Sequence, residues 1–225
     1  MRKTKSSVTI NTKSEEVFEL KRLVAEGEGH HLEFKRKASH PEKIVREMIA
    51  FANTEGGTIL IGVDDNGSLA GLKYPDEELL SVREALQKHL RQPLIYQDSL
   101  ISLSESHFIL RLDVPPNLKR PILYWTDSKH SQCYVRVNDM SVQASREMTE
   151  IIRRKRQKKD IRFYFAEHEL ALMKYLDKYP SITLLEFEKL TSLNQYAASR
   201  KLILLVLANV LKITATEKGD LYSRV

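Results

Sequence analysis

Residues 41 to 72, PEKIVREMIAFANTEGGTILIGVDDNGSLAGL, constrain the fold more than any other stretch of the chain. Ile44, Val45, Met48, Ile49 and Ala52 recur at helical spacing, which makes the first half an amphipathic helix. Pro41 suits its first turn, where a missing N–H costs nothing, and Gly56-Gly57 stop it. TILIGV is then a buried apolar strand, and Asp65-Asn66-Gly67 turns the chain into a short returning strand. The preceding HHLEFKRK, His30 to Lys37, alternates as a strand does, with His31, Glu33 and Lys35 on one face and Leu32, Phe34 and Arg36 on the other. The expectation is a β–α–β unit with a hairpin tail.

Around this unit the pattern predicts a leading helix carrying Val17, Phe18, Leu20 and Val24, and a later helix, PDEELLSVREALQKHLRQ, that ends before Pro93. The runs SLISLSE, HFILRLDVP, PILYWT and QCYVRVNDMSV then read as strands of a sheet that is largely antiparallel in its second half. We expect a mixed α+β domain over residues 1–145. REMTEIIRRKRQKKDIRFYF follows as a basic linker helix, residues 146–165. Three helical segments and two short strands around Lys218-Gly219 then give, over residues 166–225, the order of a winged helix-turn-helix.

Length and composition are compatible with this two-domain division: 225 residues, 42% of them hydrophobic and 29% charged, can build two soluble cores. The longest apolar run, LILLVLANVL from Leu202, is about half of the ~20 residues that cross a bilayer. The basic start lacks the apolar segment of a secretory signal, and the lone Cys133 can form no internal disulfide. A cytoplasmic, prokaryotic protein without membrane partners is the expectation, with Cys133 a small hydrophobe rather than a nucleophile. The net charge of +6 is concentrated: residues 1–145 are neutral, 146–162 carry +5 and 163–225 carry +1.

Three kinds of chemistry are worth weighing. A phosphate-cradling loop fails, because no G-x-x-x-x-G-K-[ST] string exists and Gly56-Gly57 precede a strand rather than a helix, so no ATP site is expected. Glu28, Glu33, Asp64 and Asp65 could converge on Mg²⁺ or Mn²⁺ for phosphodiester cleavage, with Lys35, Arg36 and Lys37 nearby to offset their field. His30 and His31 are weak zinc candidates, since adjacent histidines in a strand point to opposite faces and the sequence holds no Cys/His partner cluster.

The strings EGHHLEFKRK, IAFANTEGGTILIGVDDNGSLAGL and PILYWTDSKHSQCYVRVNDMSVQAS resemble the Schlafen-type Alba family domain, also called the Alba-2 or divergent-AAA type, over roughly residues 20–145. The resemblance implies an Alba-like nucleic-acid-binding fold, found in bacterial proteins joined to helix-turn-helix domains. In some vertebrate members three acids cleave transfer and ribosomal RNA with a divalent metal. By motif position those acids fall on Glu28, Glu33 and either Asp64 or Asp65. The ribonuclease-active members build their cleft from a duplicated arrangement, whereas this chain has one copy; a homodimer would supply the second half.

Nucleic-acid contact also has its own sequence signals. Arg153, Arg154, Lys155, Arg156, Lys158, Lys159 and Arg162 form a dense basic run suited to phosphates. Thr191 to Asn194 make the turn between helices. Asn194, Gln195, Ser199 and Arg200 are positioned to reach base edges, and Tyr196 and Lys201 to touch the backbone. The apolar LILLVLANVL is a candidate dimer seam, and EKGD at the wing tip is weakly basic. The leading expectation is a DNA-binding transcriptional regulator that acts as a homodimer. Its alternatives are a Schlafen-type, Mg- or Mn-dependent endoribonuclease in which Lys35 or Lys37 steadies phosphate, and a scaffold in a larger assembly.

Overall fold

A computed structural model describes residues 13–117, 121–155, 164–216 and 218–225. Its elements in chain order begin with α1 (Lys13–Ala25), β1 (Leu32–Lys35), α2 (Pro41–Asn53), β2 (Gly57–Ile61), α3 (Pro75–His89), β3 (Gln97–Ser102) and β4 (Phe108–Val114). Short strands β5 (Tyr124–Trp125), β6 (Ser131–Gln132), β7 (Tyr134–Val137) and β8 (Met140–Gln143) follow. The remainder is α4 (Arg146–Lys155), α5 (Glu167–Leu176), α6 (Leu184–Thr191), α7 (Gln195–Leu207), β9 (Leu211–Thr214) and β10 (Leu221–Arg224).

β1 and β2 pair in parallel across the α2 crossover, and antiparallel β4 and β3 complete a four-stranded sheet in the order β1-β2-β4-β3. The unbroken apolar run in β2 follows from burial on both faces. Ile59 and Ile61 join Leu110 and Leu112 under α2 and α3, whereas Leu60 turns with Leu32, Phe34 and Ile109 toward Leu20 and Val24 of α1. The parity of β1 therefore sends Glu33 to the α2 side.

The N-T-x-G-G string is spent on packing. Asn53 is buried, its amide donates to the carbonyls of Ile122 (2.9 Å) and Tyr134 (3.0 Å), and its Oδ1 accepts the Ile122 N–H (2.8 Å), which ties α2 to the β5–β7 region. Gly56 has φ +83°, and a Cβ there would lie 2.8 Å from the Val114 carbonyl oxygen; one on Gly57 would lie 2.4 Å from the Phe51 ring. Both glycines mark the close approach of the α2–β2 turn to its neighbours.

A second core gathers Leu172, Ile182, Phe187, Ala198, Leu202, Leu205, Val206 and Tyr222, with Ile151 of α4 packed into it. Thr183 and Glu186 form a reciprocal capping box on α6, Ser192 ends α6 in the left-handed conformation (φ 55°), and the Asn194 side chain caps α7 by accepting the Ala197 N–H at 2.9 Å. Antiparallel β9 and β10 follow, and Ile182 bridges to Tyr222 on the β10 side through two backbone hydrogen bonds of 2.8 and 2.9 Å.

The run from Leu202 packs into the second core through Leu202, Ile203, Leu205 and Val206, all buried, so these side chains are not available to a dimer seam. α4 is more than a basic connector: Met148 and Ile152 lie against the apolar side of β7 and β8, while Ile151 enters the second core. No helix among the described residues is long and apolar enough to cross a membrane.

Candidate acidic site and nucleic-acid interface

Glu33 reaches its surroundings from the edge strand β1, next to Ile59 of β2. Above it, β7 packs along α2 and delivers Arg136, whose side chain is 0% exposed. The guanidinium donates to Glu33 Oε2 at 2.6 Å, Glu47 Oε2 at 2.9 Å, and the carbonyls of Gly29 at 2.8 Å and Leu32 at 3.3 Å. It lies 5.0 Å over the Phe51 ring. A buried arginine is tolerable only when its donors are met, and here one fork serves two carboxylates and the free edge of β1. Lys35 closes the other side, donating to Glu33 Oε1 and, at 2.9 Å, to the Phe34 carbonyl.

Burial pushes the Glu47 carboxyl above its ordinary range, and the Glu33 charge pushes it further; the Ser141 hydroxyl, Arg136 and Lys35 oppose that rise. Neither Glu47 nor Arg136 was singled out from the sequence, and Arg136 lies 103 residues beyond Glu33.

The other acids stand apart from this network. Glu28 is exposed and accepts the Phe34 N–H at 2.8 Å. Asp64 is half-buried, 3.4 Å from Arg36 Nε, in a turn where its N–H meets the Ser68 carbonyl at 2.9 Å. Asp65 faces solvent, as does Lys37. A hard cation such as Mg²⁺ requires carboxylate oxygens free to approach to ~2.1 Å. Both oxygens of Glu33 already accept from cations, and Glu28, Glu33 and Asp64 form no common cluster among the described residues. As placed, these acids do not fit a Mg²⁺ or Mn²⁺ cage.

A second locus is the groove of about 570 Å³ between α4 and the start of α7, lined by Arg146, Arg153, Arg154, Gln195, Tyr196 and Arg200 among others. Arg153 and Arg154 share Glu150, each at 2.6 Å. Burial raises the Glu150 carboxyl, but the two arginines win and hold it below the ordinary carboxylate range. Of the α7 residues, Asn194 is spent as a cap, Ser199 donates to Glu147 at 2.6 Å and Lys201 pairs with Glu169 at 2.5 Å. Gln195, Tyr196 and Arg200 are exposed, and among the described residues their side chains carry no hydrogen bond. Lys155 is exposed at the end of α4, whereas Arg156, Lys158, Lys159 and Arg162 lie outside the described residues.

The model of a family described as Schlafen, AlbA_2 matches residues 28–145, more than half of the 225. Among solved structures, the chain resembles the N-terminal domain of an ATP-dependent DNA helicase RecG-related protein from Nitrosomonas europaea at 23% identity and a TM-score of 0.42, covering 61% of this chain and 94% of that one. It also resembles the DIP2311 protein from Corynebacterium diphtheriae at 16% identity and a TM-score of 0.45, covering 93% of this chain but only 44% of that protein.

Proposed function

The chain belongs to the Schlafen, AlbA_2 family, and from that premise we propose that it is a nucleic-acid-binding protein that acts as a DNA-binding transcriptional regulator and not as a nuclease. On this reading residues 1–145 are the family domain, 146–165 a basic connecting segment that begins with α4 (residues 156–163 lie outside the described residues) and 166–225 a winged helix-turn-helix. The order α5, α6, α7, β9, β10 supports the last assignment, as do the caps on either side of the Ser192 turn. The observation that carries the function is the α4–α7 groove. There Gln195, Tyr196 and Arg200 on the first turns of α7 stand unengaged beside the arginines of α4. A helix set into the major groove reads bases from its N-terminal turns, while flanking arginines neutralise phosphates.

Cleavage is disfavoured because Glu33, one of the acids to which the resemblance assigns cleavage, is paired with Arg136 and Lys35. The test is incubation of the purified full chain with labelled duplex DNA and with transfer RNA, each in Mn²⁺ and in EDTA. Salt-sensitive duplex binding with both nucleic acids left intact is the expected result. Metal-dependent cleavage that disappears in Glu33→Gln would replace this reading with the endoribonuclease one, and failure to bind either nucleic acid at low salt would replace it with the scaffold.

A further inference from the structure

We propose that His30, His31 and Glu55 form a binding site for a zinc-class divalent transition-metal ion, with a coordination position left open to solvent. This goes beyond the nucleic-acid reading and does not depend on it. Among the described residues these three are the one group of His, Cys, Asp or Glu side chains whose ligand atoms all lie within 4.8 Å of one another. His30 Nε2 is 3.7 Å, and His31 Nε2 3.6 Å, from the same oxygen of Glu55. Ligands of a tetrahedral zinc at 2.0–2.1 Å sit about 3.3 Å apart, so small rotations of side chains at the surface complete the set.

The histidines can converge because β1 begins only at Leu32. His30 and His31 therefore precede the strand and escape its alternation; their rings meet edge to face, centroids 4.8 Å apart and planes at 89°. The backbone holds His31 in register with β2, since its carbonyl accepts the Thr58 N–H at 2.8 Å. Its ring is held as well: Nδ1 lies 2.9 Å from the Gly56 carbonyl oxygen. A carbonyl can only accept, so Nδ1 carries a proton and Nε2, on the Glu55 side, is the nitrogen left to ligate. A backbone carbonyl behind the non-ligating nitrogen is how metal-binding imidazoles are oriented. The other arm comes from the turn whose backbone is fixed at Gly56, where a Cβ has no room, and the exposed Glu55 carboxylate is free to swing toward both rings.

Two imidazoles and one carboxylate select for zinc and its neighbours over Mg²⁺ or Ca²⁺, which prefer oxygen donors throughout. The bound ion would clamp the α2–β2 turn to the segment that leads into β1. Its open position would take water or an anionic oxygen such as that of phosphate.

The experiment is a Co²⁺ titration of the full chain after chelator treatment and dialysis, followed in the visible d–d bands, with Zn²⁺ then added in competition. One saturable equivalent, bleached by Zn²⁺, is expected in the wild type and in His40→Ala, an exposed histidine elsewhere. The bands are expected to vanish in His31→Ala and Glu55→Gln, whose far-UV circular dichroism should match the wild type. Zn²⁺ should also raise the Tm of the wild type and leave that of Glu55→Gln unmoved. No bands in the wild type, bands that persist in both ligand variants, or an equal rise in Tm with and without Glu55 would each overturn the proposal.

Discussion

Arg136 places its guanidinium 2.6 Å from the Glu33 carboxylate with no part of the arginine side chain exposed, and the two come from strands 103 residues apart in sequence. That pair makes Glu33 part of a buried network joining β1, α2 and β7.

Removing the arginine takes a donor from two carboxylates and two carbonyls at once. Arg136→Met should cost about 3–5 kcal/mol, the range for breaking a buried pair from one side. Denaturant unfolding of the full chain measures it. A double-mutant cycle with Glu33→Gln should return a coupling above about 1 kcal/mol, and additive losses would show that the pair is not coupled.

Asn53 is predicted to be structural. Asn53→Leu leaves the Ile122 N–H and the carbonyls of Ile122 and Tyr134 unpaired in the interior, so Tm should fall by an amount equivalent to at least ~2 kcal/mol. Nucleic-acid affinity, measured well below that Tm, should not change.

Gly57→Ala drives a Cβ to within 2.4 Å of the Phe51 ring, where it can fit only if Phe51 shifts in the core under α2. A loss of about 1–3 kcal/mol is expected from overpacking. The double variant Gly57→Ala/Phe51→Leu should recover part of that loss, measured by thermal unfolding.

Acid should weaken the contact between α5 and α7. Burial pushes Glu169 up, but Lys201 and the local backbone N–H groups prevail, and its folded pKa lies below the ordinary 4.5. A depressed folded pKa contributes stability that is fully present above 4.5 and is lost as pH falls through the folded value. Glu47 has the opposite sign: its raised pKa means that deprotonation costs stability as pH climbs past 4.5. Lys201→Met should therefore flatten the acid limb of a Tm profile taken from about pH 6 to 3, and an unchanged limb would show that this pair carries no linkage.

The β–α–β unit was legible because periodicity and the paired glycines are local signals, whereas Asn194, expected at base edges, is engaged as the cap of α7. Arg136 was hidden by distance: its partners lie in β1 and α2, and the only local hint is an arginine between Val135 and Val137 in an apolar strand. Glu33 looked like a free acid because sequence gives residue type and parity but not the cation that arrives from another strand. The alternation that separates His30 from His31 holds only within a strand, and β1 starts two residues later than the sequence pattern implies. In α4 the dense arginines mask Met148, Ile151 and Ile152, whose spacing marks a packed face.

The central claim, that the α4–α7 groove binds DNA, is tested most directly by the salt dependence of duplex affinity in fluorescence anisotropy. The full chain should show a steep linear fall of log K with log[salt], and Arg200→Ala should bind more weakly with a slope shallower by about one. A salt-insensitive signal, or identical slopes and affinities for the wild type and Arg200→Ala, would contradict it.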